Sequence, residues 1–417
     1  MSTIDLAKRR VTAVIDEIKR LKESEFPYAQ PREALNRLEQ KLNNQLSVLG
    51  KISPDAPADI GNEACSESLY KLFLYVPYLG FILRSTNVRN AFETYFPLLR
   101  LAKSLVHSDT KLILSSEWEF SPFMYPPTNE LPGFVLVGLP APESSNPLLV
   151  PLAGHELGHS VWVTQGLSKE LEGRIEERIL CELSTSRKKE YEEVFQGISI
   201  DELQRTKTAR TTWKLAYSWA LLQTEEIFCD FVGLRLFAEA YLHAFSYLLS
   251  PGVGGQRIPK YPNIKHRVRH LTKAAEATGI SVPPGFQSRF IEENEPSEKT
   301  ARLLLSVADT VSESLVIDLI ILAWEHADNR AVPDRNEALV DKISGYFKSW
   351  VIPTPGPYSL VDVLNAAWKC YQDDDLWNDS LQIKPEDRYR ILADLVLKSM
   401  EVSEFHELLK NSHDLEG

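Results

Sequence analysis

The chain lacks any apolar run long enough to span a membrane and contains few cysteines. Its most apolar windows, 72–83 and 315–324, fall short of the roughly 20 residues that a membrane helix needs. Its four cysteines include no Cys-x-x-Cys pair, which argues against a disulfide framework. The amphipathic segment 1–25 lacks the apolar centre of a secretory signal. We therefore expect a cytoplasmic protein with no membrane partner.

Positive charge is also in short supply. Lysine and arginine number 46 against 58 acidic residues, which leaves a net charge of −12. This balance argues against broad nucleic-acid binding, because phosphate backbones attract basic surfaces. We expect no nucleic-acid partner, and the hydrophobic content of 43% is that of an ordinary globular protein.

Helical patterns dominate both ends of the chain and leave a mixed segment between them. Two short apolar runs bounded by breakers, 111–115 and 134–138, predict strands. The fold class expected is mainly α with a small β-sheet (α+β). We predict a helical N-terminal region at 1–108, a catalytic core with a helical insertion at 109–295, and a helical C-terminal region at 296–417.

The most informative motif is His155-Glu156-Leu157-Gly158-His159, which follows an apolar stretch that predicts a buried helix. Residues four apart share a helix face, so His155 and His159 can point at one ion. Zinc accepts such a pair, and Glu156 between them can act as general base on a water molecule. A bland alternative is a pair of core histidines that make ordinary hydrogen bonds.

A third ligand has to come from elsewhere in the chain. A metzincin continuation would place Gly and His where Trp162 and Gln165 stand, so that pattern is excluded. Farther along, Glu226 and Asp230 lie one turn apart at what we predict is the start of a long apolar helix reaching Phe245. The alternative for these carboxylates is a solvated N-terminal turn, where the helix dipole favours acidic residues.

With both motifs, the chain resembles the gluzincin zinc metallopeptidases, the broad group that includes thermolysin. The resemblance spans roughly residues 130–275 and rests on His155, Glu156, His159, Glu226 and Asp230. It implies that Glu226 is the third zinc ligand and that Asp230 accepts a hydrogen bond from zinc-bound His155. The motifs are farther apart than in thermolysin, which predicts a helical insertion between them.

Glu225 competes with Glu226 for the place of third ligand. The two residues lie 100° apart around a helix, so only one of them faces the metal. The spacing to Asp230 favours Glu226, and Glu225 stays an alternative.

A basic run at 260–271 stands out in an acidic chain. Some gluzincins carry a similar Pro-then-Arg stretch, where an Arg, His or Tyr assists the tetrahedral intermediate. By that resemblance Arg267, His270 and Tyr261, in that order, are the candidates for this role. The alternative is an exposed basic helix face.

The strand predicted ahead of the motif helix supplies a candidate substrate site. Gluzincins generally place an edge strand beside the zinc helix, and an extended peptide pairs with it. By this resemblance the substrate backbone would lie along Phe134, Val135, Leu136, Val137 and Gly138. The alternative is an interior strand.

Together these features predict a zinc-dependent metallopeptidase that hydrolyses a peptide or protein substrate, with Glu156 as general base. Two other readings stay open. One is a catalytically silent helical scaffold or regulatory protein that retains the zinc site. The other is a zinc hydrolase of a non-peptide amide, because ligand geometry does not encode the substrate.

Overall fold

A computed structural model gives the fold of the chain and divides it into two compact units. The first unit comprises Met1–Leu99 and His107–Ser145, and the second comprises Arg100–Val106 and Asn146–Gly417. The structure describes residues 2–53, 56–88, 91–118, 123–125, 130–200, 207–252, 255, 257–354, 356–373 and 383–413.

The first unit is built from amphipathic helices and a small sheet. Its helices are α1 (Thr3–Lys22), α2 (Gln30–Lys51), α3 (Ala58–Arg84) and the first part of α4 (Ala91–Leu105). Helix α1 begins with a capping box, in which the side chains of Ser2 and Asp5 each accept from the other's backbone N–H. Apolar residues at helical spacing then bury one face of α1 against α2 and α3.

The sheet has three strands, β1 (Lys111–Glu117), β2 (Phe123–Tyr125) and β3 (Phe134–Pro140), in the order β1-β3-β2. β1 pairs with β3 in parallel, and β2 pairs with β3 antiparallel. Both predicted strands are therefore confirmed, each extending two residues beyond its predicted end. The predicted fold class, mainly α with a small β-sheet, is also confirmed.

The expectation that the 134–138 strand is a sheet edge is wrong over most of its length. β3 lies between its two neighbours, and Leu136, Val137 and Gly138 pair with β2 on the side away from β1. A peptide cannot add there, since the backbone groups already have partners. The proposed role of Phe134 and Val135 in substrate binding stays a prediction.

The boundaries predicted at residues 108 and 295 do not coincide with this division into two units. Ile113, Phe134 and Leu136 of the sheet belong to the same buried cluster as the apolar faces of α1, α2 and α3. The strands therefore complete the core of the N-terminal helices, because a small sheet must bury its apolar face against another layer.

The second unit is helical and centres on one long helix. Its helices are α5 (Ala153–Gln165), α6 (Leu167–Ser184), α7 (Lys188–Val194), α8 (Lys207–Phe237), α9 (Glu239–Leu249), α10 (Ile264–Ala277), α11 (Lys299–Ser314), α12 (Val316–Asn329), α13 (Glu337–Lys348), α14 (Leu360–Tyr371) and α15 (Pro385–His413). α8 packs against α5, α6, α10, α11 and α12. The predicted insertion between the two motifs thus holds α6 and α7.

The helix predicted to start near Glu226 and to reach Phe245 differs from the observed one at both ends. It begins much earlier, at Lys207, so Glu226 lies in the middle of α8 rather than in a solvated first turn. It also stops at Ala238, whose positive φ of 49° separates α8 from α9. The Asn365 side chain bridges this break, donating to the carbonyl of Phe237 and accepting from the N–H of Ala240. No helix among the described residues combines the length and apolar character of a transmembrane span.

One side chain satisfies two backbone groups of β1, a strand at the edge of the sheet. The Tyr28 hydroxyl donates to the Leu114 carbonyl and accepts from the Leu114 N–H, both at 2.8 Å, while its ring stacks on Tyr95. We expect Tyr28→Phe to lower the free energy of unfolding by about 1–3 kcal/mol, because two buried backbone groups lose their partner. Urea denaturation measures this loss. Tyr70→Phe, at an exposed tyrosine of α3, should change stability little; equal effects of the two substitutions would contradict this assignment.

Candidate metal centre

The motif helix α5 lies unusually close to α8, and glycines allow this approach. A Cβ added at Gly158 would lie 2.7 Å from the Cα of Cys229, and one at Gly154 would lie 3.0 Å from the Cα of Gly233. These distances are shorter than ordinary van der Waals contacts, so the two backbones meet where no side chain fits. Side chains on either flank of this contact line are therefore brought together.

Three side chains converge at this contact. The ligand-type atoms of His155, His159 and Glu226 all lie within 4.8 Å of one another, and the group is largely buried. The structure therefore brings together the three residues that the two sequence motifs predict as ligands. Such a buried group of two imidazoles and a carboxylate could hold a metal ion.

The spacing of the donor atoms fits a small tetrahedral ion. His155 Nε2 lies 3.3 Å from Glu226 Oε2, and His159 Nε2 lies 3.8 Å from Glu226 Oε1. Ligands at about 2.0–2.2 Å from a tetrahedral centre are separated by about 3.3–3.6 Å from one another. The His155–Glu226 distance already matches this separation, and the His159–Glu226 distance exceeds it by a few tenths of an ångström.

Glu226 supplies a second sign of fit. Its side chain is 1% exposed, and neither carboxylate oxygen makes a hydrogen bond to any residue that the structure describes. Burial opposes its ionisation, but His155 and Arg267 outweigh that effect and lower the pKa of Glu226 to about 2. A buried, ionised carboxylate is costly unless positive charge lies beside it, and a bound metal ion would add to the charge that His155 and Lys260 supply.

Each imidazole is held by its own carboxylate. His155 Nδ1 donates to Asp230 Oδ1 at 2.9 Å, and His159 Nδ1 donates to Glu225 Oε1 at 2.7 Å. Both rings therefore turn Nε2 toward Glu226, which is how orienting partners prepare histidine ligands. Burial acts to lower the pKa of His155, but its hydrogen bond to Asp230 and the nearby negative charge of Glu226 raise it to about 10.

This geometry separates the roles of the two adjacent glutamates. Glu226 joins the three-residue cluster, whereas Glu225 lies on the far side of the His159 ring and contacts Nδ1. The alternative of Glu225 as the ligand therefore receives no support from the geometry. Through this contact Glu225 orients His159 in the same way that Asp230 orients His155.

Asp230 is itself fixed by a wider network. It accepts a hydrogen bond from Tyr241 Oη at 2.8 Å and two from the Arg267 guanidinium, at 2.8 Å from Nε and 2.7 Å from Nη2. Burial would raise the pKa of Asp230, but Arg267 and His155 together hold it well below its usual range. Asp230 is thus an ionised acceptor with all its donors supplied by protein.

Glu156 lies on the same helix as the two histidines and is buried. Its carboxylate makes no hydrogen bond within the described part of the chain, and burial raises its pKa. A carboxylate in this state accepts a proton more readily than an exposed one, which is what a general base requires.

The contacts of Arg267 do not support its expected role toward a reaction intermediate. The guanidinium is buried, and two of its nitrogens are committed to Asp230. Arg267 therefore positions Asp230. The cation that does reach the cluster is Lys260, whose Nζ lies 3.4 Å from Glu226 Oε1.

The other two candidates occupy different surroundings. His270 is buried, and burial together with Arg269 lowers its pKa to about 3, so its ring is neutral near pH 7. Tyr261 is partly exposed, and its ring lies 5.0 Å from Lys260 Nζ and 5.8 Å from the Arg267 guanidinium carbon. Of the three, Tyr261 keeps a side chain open to solvent near the cluster.

Sequence reasoning missed Lys260, Tyr241 and the orienting role of Glu225. It also missed the signal that Gly154 and Gly158 carry, four residues apart on the motif helix. That spacing puts both glycines on one helix face and predicts close packing there. No family model, curated protein or solved structure matches the chain.

The glycine contact gives a test of how the cluster is assembled. Gly158→Ala should lower the free energy of unfolding by about 1–3 kcal/mol, because the added methyl overlaps the α8 backbone at Cys229. The matched control is Gly173→Ala in α6, where nothing lies within 4 Å. That change should leave stability unchanged or raise it by up to about 1 kcal/mol. Thermal and urea unfolding measure both stability changes. Equal changes in the free energy of unfolding of the two variants would contradict close packing at Gly158.

Proposed function

We propose that this protein is a zinc-dependent hydrolase that cleaves peptide bonds, with Glu156 as general base. The observation that carries the proposal is the convergence of His155, His159 and Glu226 beside a buried carboxylate with no hydrogen-bond partner of its own. The order of these residues along the chain, followed by Asp230, supports a gluzincin-like arrangement.

Zinc is the metal that this donor set suits best. Two imidazoles and one carboxylate form a ligand set of catalytic zinc sites, in which a fourth position stays open to water. Zinc bound there would polarise a substrate carbonyl and lower the pKa of its water toward neutrality. Hard cations such as magnesium prefer oxygen ligands, so the two imidazoles select against them.

The protein's own residues then divide the work. Glu156 accepts the proton of the attacking water and passes it to the leaving amine. Asp230 and Glu225 hold the two imidazoles by Nδ1 and so keep each Nε2 free on the side of Glu226, where the three residues would hold the ion. Lys260 and Tyr261 lie on the partly exposed side of the cluster, where a donor can stabilise the developing oxyanion.

The substrate is proposed to be a peptide or protein. The cytoplasmic location expected from the sequence stays a prediction. A scaffold that retains only the metal site is less favoured. Glu156 is not needed to hold the ion, yet it is buried at a cost and kept free of hydrogen bonds.

The metal assignment predicts a graded loss of zinc affinity. Metal-free protein should bind one zinc ion, and Glu226→Gln should weaken binding by more than about 100-fold, because a ligand charge is lost. Asp230→Asn and Glu225→Gln should each weaken it by about 10- to 100-fold, because they only orient ligands.

Competition against a fluorescent chelator measures these affinities, with circular dichroism to establish that each variant is folded. Glu177→Gln, an exposed position on α6, is the matched control and should bind zinc as the parent does. Equal zinc affinity of the parent and Glu226→Gln would refute the site.

The catalytic assignment predicts that metal binding and hydrolysis separate in one variant. Glu156→Gln should keep zinc and fold, and it should lose peptide cleavage by about 100- to 10,000-fold, because the general base is removed. Cleavage of a fluorogenic peptide library, with and without chelator, is the measurement. Zinc-loaded parent protein that cleaves no peptide would favour the scaffold, or a non-peptide amide substrate if amide hydrolysis is found instead.

A further inference from the structure

A separate cavity of about 460 Å³ lies in the second unit, lined by residues of α9, α13, α14 and the 281–289 segment. Its volume falls in the range of about 300–1,000 Å³ that small-molecule sites occupy. None of the metal-cluster residues lines it. The proposed hydrolase activity therefore leaves this cavity unexplained.

One wall of the cavity is aromatic and rigid. The His243 ring stacks on Trp368, with centroids 5.2 Å apart and planes 13° from parallel. The Trp368 indole N–H donates to the Leu148 carbonyl at 3.0 Å, which fixes the ring in place. Because Trp368 is itself buried, a planar ligand would meet this pair through the partly exposed His243 ring.

His243 also contributes hydrogen-bonding capacity. Burial, aided by nearby Arg289, lowers the pKa of His243 to about 4, so the ring is neutral near pH 7. A neutral imidazole carries one donor and one acceptor. Neither ring nitrogen has a hydrogen-bond partner in the described part of the chain.

The acidic groups of the cavity are already paired. Arg335 forms ion pairs with both Glu239 and Glu337, and Lys369 Nζ lies 3.5 Å from Glu337. Glu239 also accepts the backbone N–H of Ser281 at 3.0 Å. These carboxylates are therefore compensated and do not repel an anion as free ones would.

Arg289 differs from the other cations of the cavity. It forms no ion pair with any acidic residue that the structure describes, and its guanidinium reaches only the Pro284 carbonyl at 3.3 Å and Ser246 Oγ at 3.5 Å. A guanidinium presents five donors in a planar fork, and because Arg289 is exposed, those without a protein partner face solvent and are open to a ligand. In a chain with a net charge of −12, this is a local site of uncompensated positive charge.

We propose that this cavity binds a small organic anion, whose planar ring lies against the His243–Trp368 wall and whose carboxylate or phosphate is held by Arg289. A guanidinium fork matches either acidic group, and an aromatic wall favours a ring over an inorganic ion. The cavity would thus give the protein a ligand site distinct from the metal cluster and independent of the proposed hydrolysis.

The test uses the whole 417-residue chain in metal-free form, so that no anion can bind through a metal. Calorimetry and ligand-observed NMR would compare benzoate and phenyl phosphate with benzamide, which lacks the charge, and with inorganic phosphate, which lacks the ring. At least one of benzoate and phenyl phosphate should bind more tightly than benzamide and inorganic phosphate do. Arg289→Gln should weaken that binding about tenfold or more, because a charge-assisted hydrogen bond is lost.

Arg178→Gln, at an exposed position of α6, is the matched control and should leave binding unchanged. Preference for benzoate or for phenyl phosphate would identify the acidic group of the ligand. The proposal is overturned if neither ring anion binds, if inorganic phosphate or benzamide binds as well as they do, or if Arg289→Gln binds them like the parent. Because zinc is absent throughout, these outcomes leave the proposed hydrolase function to its own tests.

Discussion

The candidate metal centre depends on one buried carboxylate. Asp230 accepts hydrogen bonds from His155 on α5, Tyr241 on α9 and Arg267 on α10, while its own backbone belongs to α8. A single side chain therefore links four helices and at the same time fixes the direction of one imidazole. Arg267 and Asp230 each lower the free-energy cost of burying the other, because a buried charge is costly alone and tolerable beside an opposite charge.

A second constraint is the absence of side chains where helices meet. Gly154 and Gly158 let α5 lie against α8, and Gly233 leaves room for the Tyr241 ring, whose atoms come within 2.3 Å of where a Cβ would stand. The hydroxyl of that ring reaches Asp230 only because the ring crosses the helix at this glycine. Close packing and ligand orientation are thus two results of the same backbone contact.

The parts of the fold that local patterns encode were predictable. Apolar runs between Gly and Pro breakers marked the strands near Lys111 and Phe134, and i,i+4 spacing put His155 and His159 on one helix face. The position of β3 between two strands, and the break at Ala238, were not predictable. Each depends on partners far along the chain, such as β2 for the sheet and Asn365 for the helix break.

The sequence by itself determined which chemical groups are available and which of them share a helix face. The second point follows from spacing along the chain alone, because every α-helix has 3.6 residues per turn. That rule means that only one of the adjacent Glu225 and Glu226 can face the two histidines. Only the tertiary structure decided that Glu226 joins the histidines, that Glu225 orients His159, and that Arg267 holds Asp230. These outcomes depend on how α8 is rotated and how closely it approaches α5 and α10, which is set by packing among residues that are distant in the chain.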